Sequence, residues 1–279
     1  MGERIGEKMS TWRFPGVLQR IGVCYLVAGL IWLKTTRRAQ IAITAALLFG
    51  YWILSTVVPV PGSGLLGAAT LDRPSETLAA WLDRAVFGAH VWSQSKTWDP
   101  EGLLSTLPAI ATVFLGIFAG ELIGSRKPLS ERLSELFAWG VGWTIAGAVW
   151  GWFFPINKNL WTSSFTLFTA GLGALVLGLC IWMIEVRGWK GKWTTPFIVF
   201  GVNPILAYVG AGLMAKLIYS IIRVPWNGGT ISLQAAIYQT AFLSWLPPKA
   251  ASLAFAISFV LVWLAILWPL WKKGVYVKV

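Results

Sequence analysis

Hydrophobic residues fall in long uninterrupted runs along this chain, and polar residues gather in short segments between the runs. A helix that crosses a membrane needs roughly 20 mainly apolar residues, whereas membrane β-strands alternate apolar and polar residues. The pattern therefore predicts an all-α fold, a polytopic transmembrane helical bundle of about seven spans. The expected spans are 16–33, 40–58, 102–123, 133–154, 162–186, 196–222 and 251–271.

Two further segments are expected to be helical without crossing the membrane. Residues 75–87 predict a short amphipathic helix within the longest polar stretch. Residues 231–246 are apolar but short and stop at two prolines, so they predict one short interfacial or re-entrant helix. We expect the whole chain, 1–279, to form a single transmembrane domain with an extracytoplasmic loop at 60–98.

The composition agrees with a membrane protein. Hydrophobic residues make up 56% of the 279 residues, charged residues only 12%, and the mean hydropathy is +0.67. The net charge of +12 does not indicate nucleic acid, because the basic residues form short clusters between apolar runs. Two cysteines and one histidine support neither a disulfide framework nor a metal site, and we expect no metal.

The basic clusters also predict orientation. Groups of three Lys or Arg residues begin at Lys34, Arg126, Arg187 and Lys272, all on one side if the spans alternate. Because cytoplasmic loops carry an excess of Lys and Arg, that side is the cytoplasm. We therefore expect a multi-pass protein of the cell inner membrane with a cytoplasmic C-terminus. Met1 then lies outside, which suggests that further spans are missing upstream.

Two carboxylates, Asp99 and Glu101, stand at the outer mouth of an apolar run and are the first catalytic candidates. A structural alternative makes Asp99 a helix N-cap, Pro100 the first helical residue and Glu101 a partner of the helix dipole. His90 is a third catalytic candidate, as a general base, because its ordinary pKa is near neutrality. A solvated loop histidine is the alternative.

Several polar residues are candidates for substrate binding. Asn157, Lys158 and Asn159 occupy one outer turn and offer amides and an ammonium to a hydroxyl-rich sugar. Arg20 lies inside a span, where a charge is costly unless it pairs or reaches the surface. Asn203 precedes a proline within span 196–222, and broken helices at membrane depth often line a cavity. An ordinary turn, snorkelling and a tolerated kink are the respective alternatives.

Arg126, Lys127 and Arg132 follow a glycine-containing span end on the expected cytoplasmic side. They could bind the phosphates of a nucleotide cofactor. The positive-inside rule explains the same residues without any ligand.

Six ordered motifs along the chain resemble the heparan-alpha-glucosaminide N-acetyltransferase family. They are Arg13-Phe14-Pro15-Gly16-Val17-Leu18-Gln19-Arg20, Pro59-Val60-Pro61-Gly62, Leu82-Asp83-Arg84, Asp99-Pro100-Glu101-Gly102, Pro155-Ile156-Asn157-Lys158-Asn159-Leu160-Trp161, and Thr195-Pro196-Phe197 with Gly201, Asn203, Ile205-Leu206 and Tyr208-Val209-Gly210.

The resemblance implies a bundle of about eleven spans that passes an acetyl group from cytoplasmic acetyl-CoA, the co-substrate, to an amino sugar on the far side. It also implies an N-terminal region of several spans, with the histidine usually assigned to acetyl transfer, and no part of this chain matches that region. His90 matches a different family histidine. The resemblance therefore implies an N-terminally short member of the family, and it leaves open whether this chain is active alone.

Two other functions stay open. The chain could be a permease or flippase for a sugar or lipid-linked substrate, or a non-catalytic membrane subunit. The expected partners are the lipid bilayer and an amino-sugar or glycan acceptor, with no nucleic acid, and a homodimer is one assembly to consider.

Overall fold

The computed structural model of the protein describes residues 11–277. Contacts divide the chain into two compact units, which fall within Met1–Arg187 and Gly188–Val279. The expected single domain over residues 1–279 stays a prediction. The expected outward placement of Met1 concerns a residue outside the described range.

The described part of the first unit, residues 11–187, contains six α-helices that match the predicted apolar runs and the short amphipathic segment. They are α1 (Val17–Lys34), α2 (Arg37–Thr56), α3 (Leu78–Phe87), α4 (Thr106–Ile123), α5 (Leu129–Trp150) and α6 (Ser163–Ile181). Threonine side chains cap three of them, since Thr36, Thr77 and Thr162 accept hydrogen bonds from backbone N–H groups in the first turns of α2, α3 and α6.

Within residues 11–277, six helices are long and apolar enough to cross a membrane. They are Val17–Lys34, Arg37–Thr56, Thr106–Ile123, Ser163–Val186, Pro204–Ile221 and Pro248–Lys272. The protein is thus a helical membrane bundle. The remaining predicted span, 133–154, corresponds to α5. This helix has 22 residues but is less apolar, because its first turns carry Glu131, Arg132 and Glu135.

Glycines allow α5 and α6 to pack backbone against backbone. A Cβ on Gly147 would lie 2.4 Å from the backbone N of Phe168, and one on Gly171 would lie 2.4 Å from that of Thr144. Small residues permit such close approach between membrane helices. The central helix of this unit is α4, whose Phe114 is fully buried among side chains of α1 and α6.

The second unit contains four α-helices and one β-hairpin. The elements are α7 (Thr195–Val202), α8 (Pro204–Lys216), β1 (Arg223–Trp226), β2 (Gly229–Ser232), α9 (Leu233–Tyr238) and α10 (Pro248–Lys272). The predicted span 196–222 is broken at Asn203, and the predicted short helix 231–246 begins at Leu233 as α9 and continues as a π-helical turn to Leu243. Sequence analysis missed the hairpin, although Asn227-Gly228 with positive φ at both residues is a typical two-residue hairpin turn.

Candidate functional site

The turn between α3 and α4 is folded around a buried carboxylate. Asp83 on α3 is 1% exposed, and its two oxygens accept hydrogen bonds from the backbone N–H groups of Asp99 (3.1 Å) and Leu103 (3.0 Å). Burial raises the pKa of Asp83, and these two N–H donors oppose that rise. Asp83 belongs to the Leu82-Asp83-Arg84 motif but was not among the predicted site residues.

This turn corrects one sequence-based interpretation. The helix of span 102–123 begins at Thr106, so Asp99 is not its N-cap and Pro100 is not its first residue. Residues 99–105 instead form turns that wrap the Asp83 carboxylate, which satisfies N–H groups that a helix end would otherwise expose. Asp99 accepts from the N–H of Glu101 at 3.0 Å, a local turn bond rather than a helix cap.

Arg13 joins the two candidate carboxylates. Its Nε and Nη2 donate to the two oxygens of Asp99 at 2.7 and 2.5 Å, and Nη2 also donates to Oε2 of Glu101. The hydrogen bond to Asp99 is the main cause that raises the pKa of Arg13, and burial opposes it. A two-pronged guanidinium–carboxylate pair is among the stronger polar contacts in proteins. Arg13 was not among the predicted site residues.

The two carboxylates differ in access. The side chain of Asp99 is 0% exposed, whereas that of Glu101 is 18% exposed. Asp99 is therefore the buried member of the cluster, whereas Glu101 and Arg13, the latter 30% exposed, are both partly accessible.

Arg20 supports the same turn from α1. The guanidinium donates to the carbonyl of Pro100 at 2.9 Å and to that of Ser105, and its Cζ lies 4.6 Å from the ring centre of Trp161. Arg20 is 7% exposed. These contacts explain how α1 tolerates a charge there, and the predicted role of Arg20 in substrate binding stays a prediction.

His90 lies beside the segment that carries Arg13. Its Nδ1 is 2.8 Å from the carbonyl oxygen of Trp12, and its backbone oxygen accepts from the N–H of Phe14 at 3.0 Å. The rings of His90 and Phe14 stack with centroids 4.1 Å apart and an interplanar angle of 11°. A carbonyl can only accept, so Nδ1 carries the proton. The predicted role of His90 as a general base stays a prediction.

The polar residues of the turn after α5 lie in different environments. The Oδ1 of Asn157 accepts from the N–H groups of Asn159 and Leu160, which shapes the turn, while the side chains of Lys158 and Asn159 are exposed. Trp161 follows with a positive φ of 51° and donates from Nε1 to Thr112 at 3.2 Å. Through the Trp161 ring, this turn meets Arg20 and hence the turn of Asp99 and Glu101.

Asn203 lies in the second unit. It is fully buried, its Nδ2 donates to the carbonyl of Val275 at 3.1 Å, and its Oδ1 accepts from the N–H of Val277 at 2.7 Å. These bonds join the break between α7 and α8 to the segment after α10. Its predicted role as a sugar contact stays a prediction.

The three predicted cofactor ligands have different environments. Lys127 pairs with Glu131 at 3.4 Å and with Glu135, and the hydrogen bond to Glu135 raises its pKa. The guanidinium of Arg132 donates to the carbonyl of Ile123 at 2.5 Å, at the end of α4. Arg126 is exposed.

Of these three residues, Lys127 lines a cavity of about 370 Å³. Its other polar walls come from Gln40, Ser125 and the ion pair of Arg37 with Glu121, whose charged atoms are 2.6 Å apart. Gln40 is only 4% exposed, and its Oε1 is buried without a hydrogen-bond partner among the described residues. A buried acceptor of this kind is costly unless a donor reaches it. Among residues 11–277, His, Cys, Asp and Glu side chains form no group of three that could hold a metal ion.

Fold and site together define a multi-pass helical membrane protein. Its guanidinium–carboxylate cluster is formed by the segments that precede α1 and α4. No family model matches the chain. Over 246 aligned residues it is 31% identical to human heparan-alpha-glucosaminide N-acetyltransferase and 30% identical to the mouse protein of that name. Each alignment covers 71% of this chain, 36% of the human protein and 37% of the mouse protein.

The chain is thus a homologue of the heparan-alpha-glucosaminide N-acetyltransferases, and the resemblance seen in the six motifs is confirmed. It spans a little more than a third of the length of the curated relatives it matches.

Proposed function

We propose that this chain carries the acceptor side of a membrane N-acetyltransferase, which moves an acetyl group from cytoplasmic acetyl-CoA to an amino sugar outside. The observation that carries the proposal is the partly exposed Glu101 carboxylate beside Arg13 and the buried Asp99. The two relatives are both named as N-acetyltransferases, which supports the reaction class.

The chemistry needs an unprotonated amine. An amino sugar arrives largely as an ammonium, and the accessible Glu101 carboxylate can take its proton, which leaves the nitrogen lone pair free to attack. The new N–C bond forms at the acetyl carbonyl carbon, the C–S bond breaks, and the departing thiolate takes up a proton. Asp99 cannot play this part while both its oxygens are held by Arg13.

The turn that contains Lys158 and Asn159 supports binding of the sugar itself. Both side chains are exposed, and the turn meets the carboxylate cluster through Trp161 and Arg20. Amide and ammonium groups suit sugar hydroxyls, which both donate and accept hydrogen bonds.

The cavity lined by Arg37, Gln40, Ser125 and Lys127 supports a donor site on the side predicted to be cytoplasmic. Its basic groups, Arg37 and Lys127, pair with Glu121, Glu131 and Glu135 and would exchange these carboxylates for the phosphates of acetyl-CoA. The unpartnered Oε1 of Gln40 suits an amide N–H of a ligand. Of the three predicted cofactor ligands, Lys127 lines this cavity, and the exposed Arg126 is next to it in the chain.

The test uses the chain in proteoliposomes with acetyl-CoA labelled in the acetyl group and with glucosamine. We expect labelled N-acetylglucosamine, and we expect Glu101→Gln to reduce transfer at least about 100-fold, the usual scale for losing an acid–base group. The same variant should also bind glucosamine more weakly than wild type. Glu76→Gln, an exposed carboxylate of an i,i+3 pair, is the control. If wild type binds glucosamine without transferring the label, the proposal holds for the acceptor side only. If Glu101→Gln matches wild type in both transfer and glucosamine binding, the proposal is wrong.

A second candidate is a permease or flippase, which a lateral groove favours. The groove encloses about 520 Å³ between α2, α4, α5 and α6, and it meets the smaller cavity at Arg37, Phe118 and Trp139. Uptake of labelled glucosamine into the liposomes without acetylation would support transport and contradict acetyl transfer.

A further inference from the structure

The segment that carries Arg13 has no regular secondary structure of its own. Residues 12–15 are coil, and α1 begins only at Val17. A side chain on such a segment points reliably at a partner only if other contacts fix the backbone on either side of it.

His90 provides those contacts on both sides of Arg13. Its Nδ1 holds the carbonyl of Trp12, its backbone oxygen holds the N–H of Phe14, and its ring stacks on that of Phe14. One residue thus fixes the chain immediately before and immediately after Arg13.

Arg13 in turn depends on its placement. Its Nη2 donates to both Asp99 and Glu101, so a small shift of the backbone would break one of the two contacts. Asp99 is buried and holds its guanidinium with two bonds, so the contact to the more exposed Glu101 is the one that a shift would lose first.

We infer that His90 is a positioning residue, which clamps Trp12 and Phe14 and thereby places the Arg13 guanidinium against Glu101. This inference rests on the proposed function for the meaning of Glu101, but the clamp itself is a statement about structure. This positioning role is separate from the predicted general base, because the clamp uses Nδ1 and the backbone oxygen of His90, whereas a base would have to use Nε2.

The first test measures the access of a reagent to Arg13, which needs no activity. The rate at which phenylglyoxal modifies Arg13 is followed by peptide mass spectrometry in wild type, His90→Ala, His90→Phe and Gln94→Ala. We expect His90→Ala to raise the rate at least about fivefold, the factor that one lost hydrogen bond represents. His90→Phe retains an aromatic ring for stacking and should fall between, and the exposed Gln94 is the control and should match wild type.

The second test is a double-mutant cycle on glucosamine affinity. If His90 acts only through Arg13, then Arg13→Ala and the double variant His90→Ala/Arg13→Ala should have the same Kd within about twofold. If the factors by which the two single substitutions weaken glucosamine binding multiply in the double variant, the inference is wrong. An unchanged phenylglyoxal rate in both His90 variants would also overturn it. If His90→Ala does not fold, His90→Phe decides both measurements. Failure of wild type to bind glucosamine would count against the proposed function alone, because the phenylglyoxal result stands without it.

Discussion

Gly102 and Asp83 are in such close contact that position 102 accepts no side chain. A Cβ on Gly102 would lie 2.2 Å from Oδ2 and 2.5 Å from Oδ1 of Asp83, well inside van der Waals contact. The buried carboxylate therefore shapes the turn that presents Asp99 and Glu101, and the glycine lets the chain approach it.

Gly102→Ala should disturb this turn. Because the Asp83 carboxylate is itself held by two backbone bonds, it cannot move away, and we expect a loss of about 1 to 3 kcal/mol in unfolding free energy, typical of overpacking. Thermal unfolding in detergent measures the change. Gly116→Ala in α4 is the matched control, since its Cβ would meet nothing within 4 Å and alanine favours a helix. Equal stability of the two variants would contradict the prediction.

Asp83 should make a pH-dependent contribution to stability. Its folded-state pKa is raised above the ordinary value of 3.8 by burial, so the folded state binds this proton more tightly than the unfolded state does. The contribution is therefore fully present below pH 3.8 and is lost as the pH rises through the raised pKa. Asp83→Asn cannot titrate, so the difference in melting temperature between wild type and this variant should change across that interval. A difference that stays constant with pH would show that Asp83 titrates alike in both states.

Arg20→Ala should destabilise the first unit. It removes donors from the carbonyls of Pro100 and Ser105 and leaves those carbonyls without this partner, at a cost of about 2 to 4 kcal/mol. Trp161→Phe is the graded comparison, since it keeps an aromatic face for Arg20 but loses the bond to Thr112, and should cost about 1 kcal/mol. Unfolding in denaturant ranks the two variants, and the reverse order would contradict the assignment.

Asn203→Ala should release the segment after α10. The substitution removes the bonds to the carbonyl of Val275 and the N–H of Val277, which are part-buried, so we expect a loss of about 1 kcal/mol in stability. Hydrogen exchange at the Val277 amide should accelerate accordingly. Gln239→Ala, at an exposed position in the same unit, is the control and should leave that amide unchanged.

The features that sequence reasoning predicted well are those that depend on local hydrophobicity. The runs that became α1, α2, α4, α6 and α10 had to be helical, because a backbone in lipid must satisfy its own hydrogen bonds within the segment. The late start of α4 at Thr106 was not predictable in this way, because the turn before it is held by Asp83, which lies 20 residues before Leu103 in the chain.

The candidate site shows the same division. The sequence by itself determined a membrane bundle, the presence of two carboxylates at the end of an apolar run, and motifs shared with a family of acetyltransferases. Only the tertiary structure decided that Asp99 is buried and paired with Arg13 while Glu101 is partly exposed. It also decided that Asp83 organises the turn that carries both carboxylates. Arg13 and Asp99 are 86 residues apart, and a partner so distant is chosen by how the helices pack rather than by any local pattern of residues.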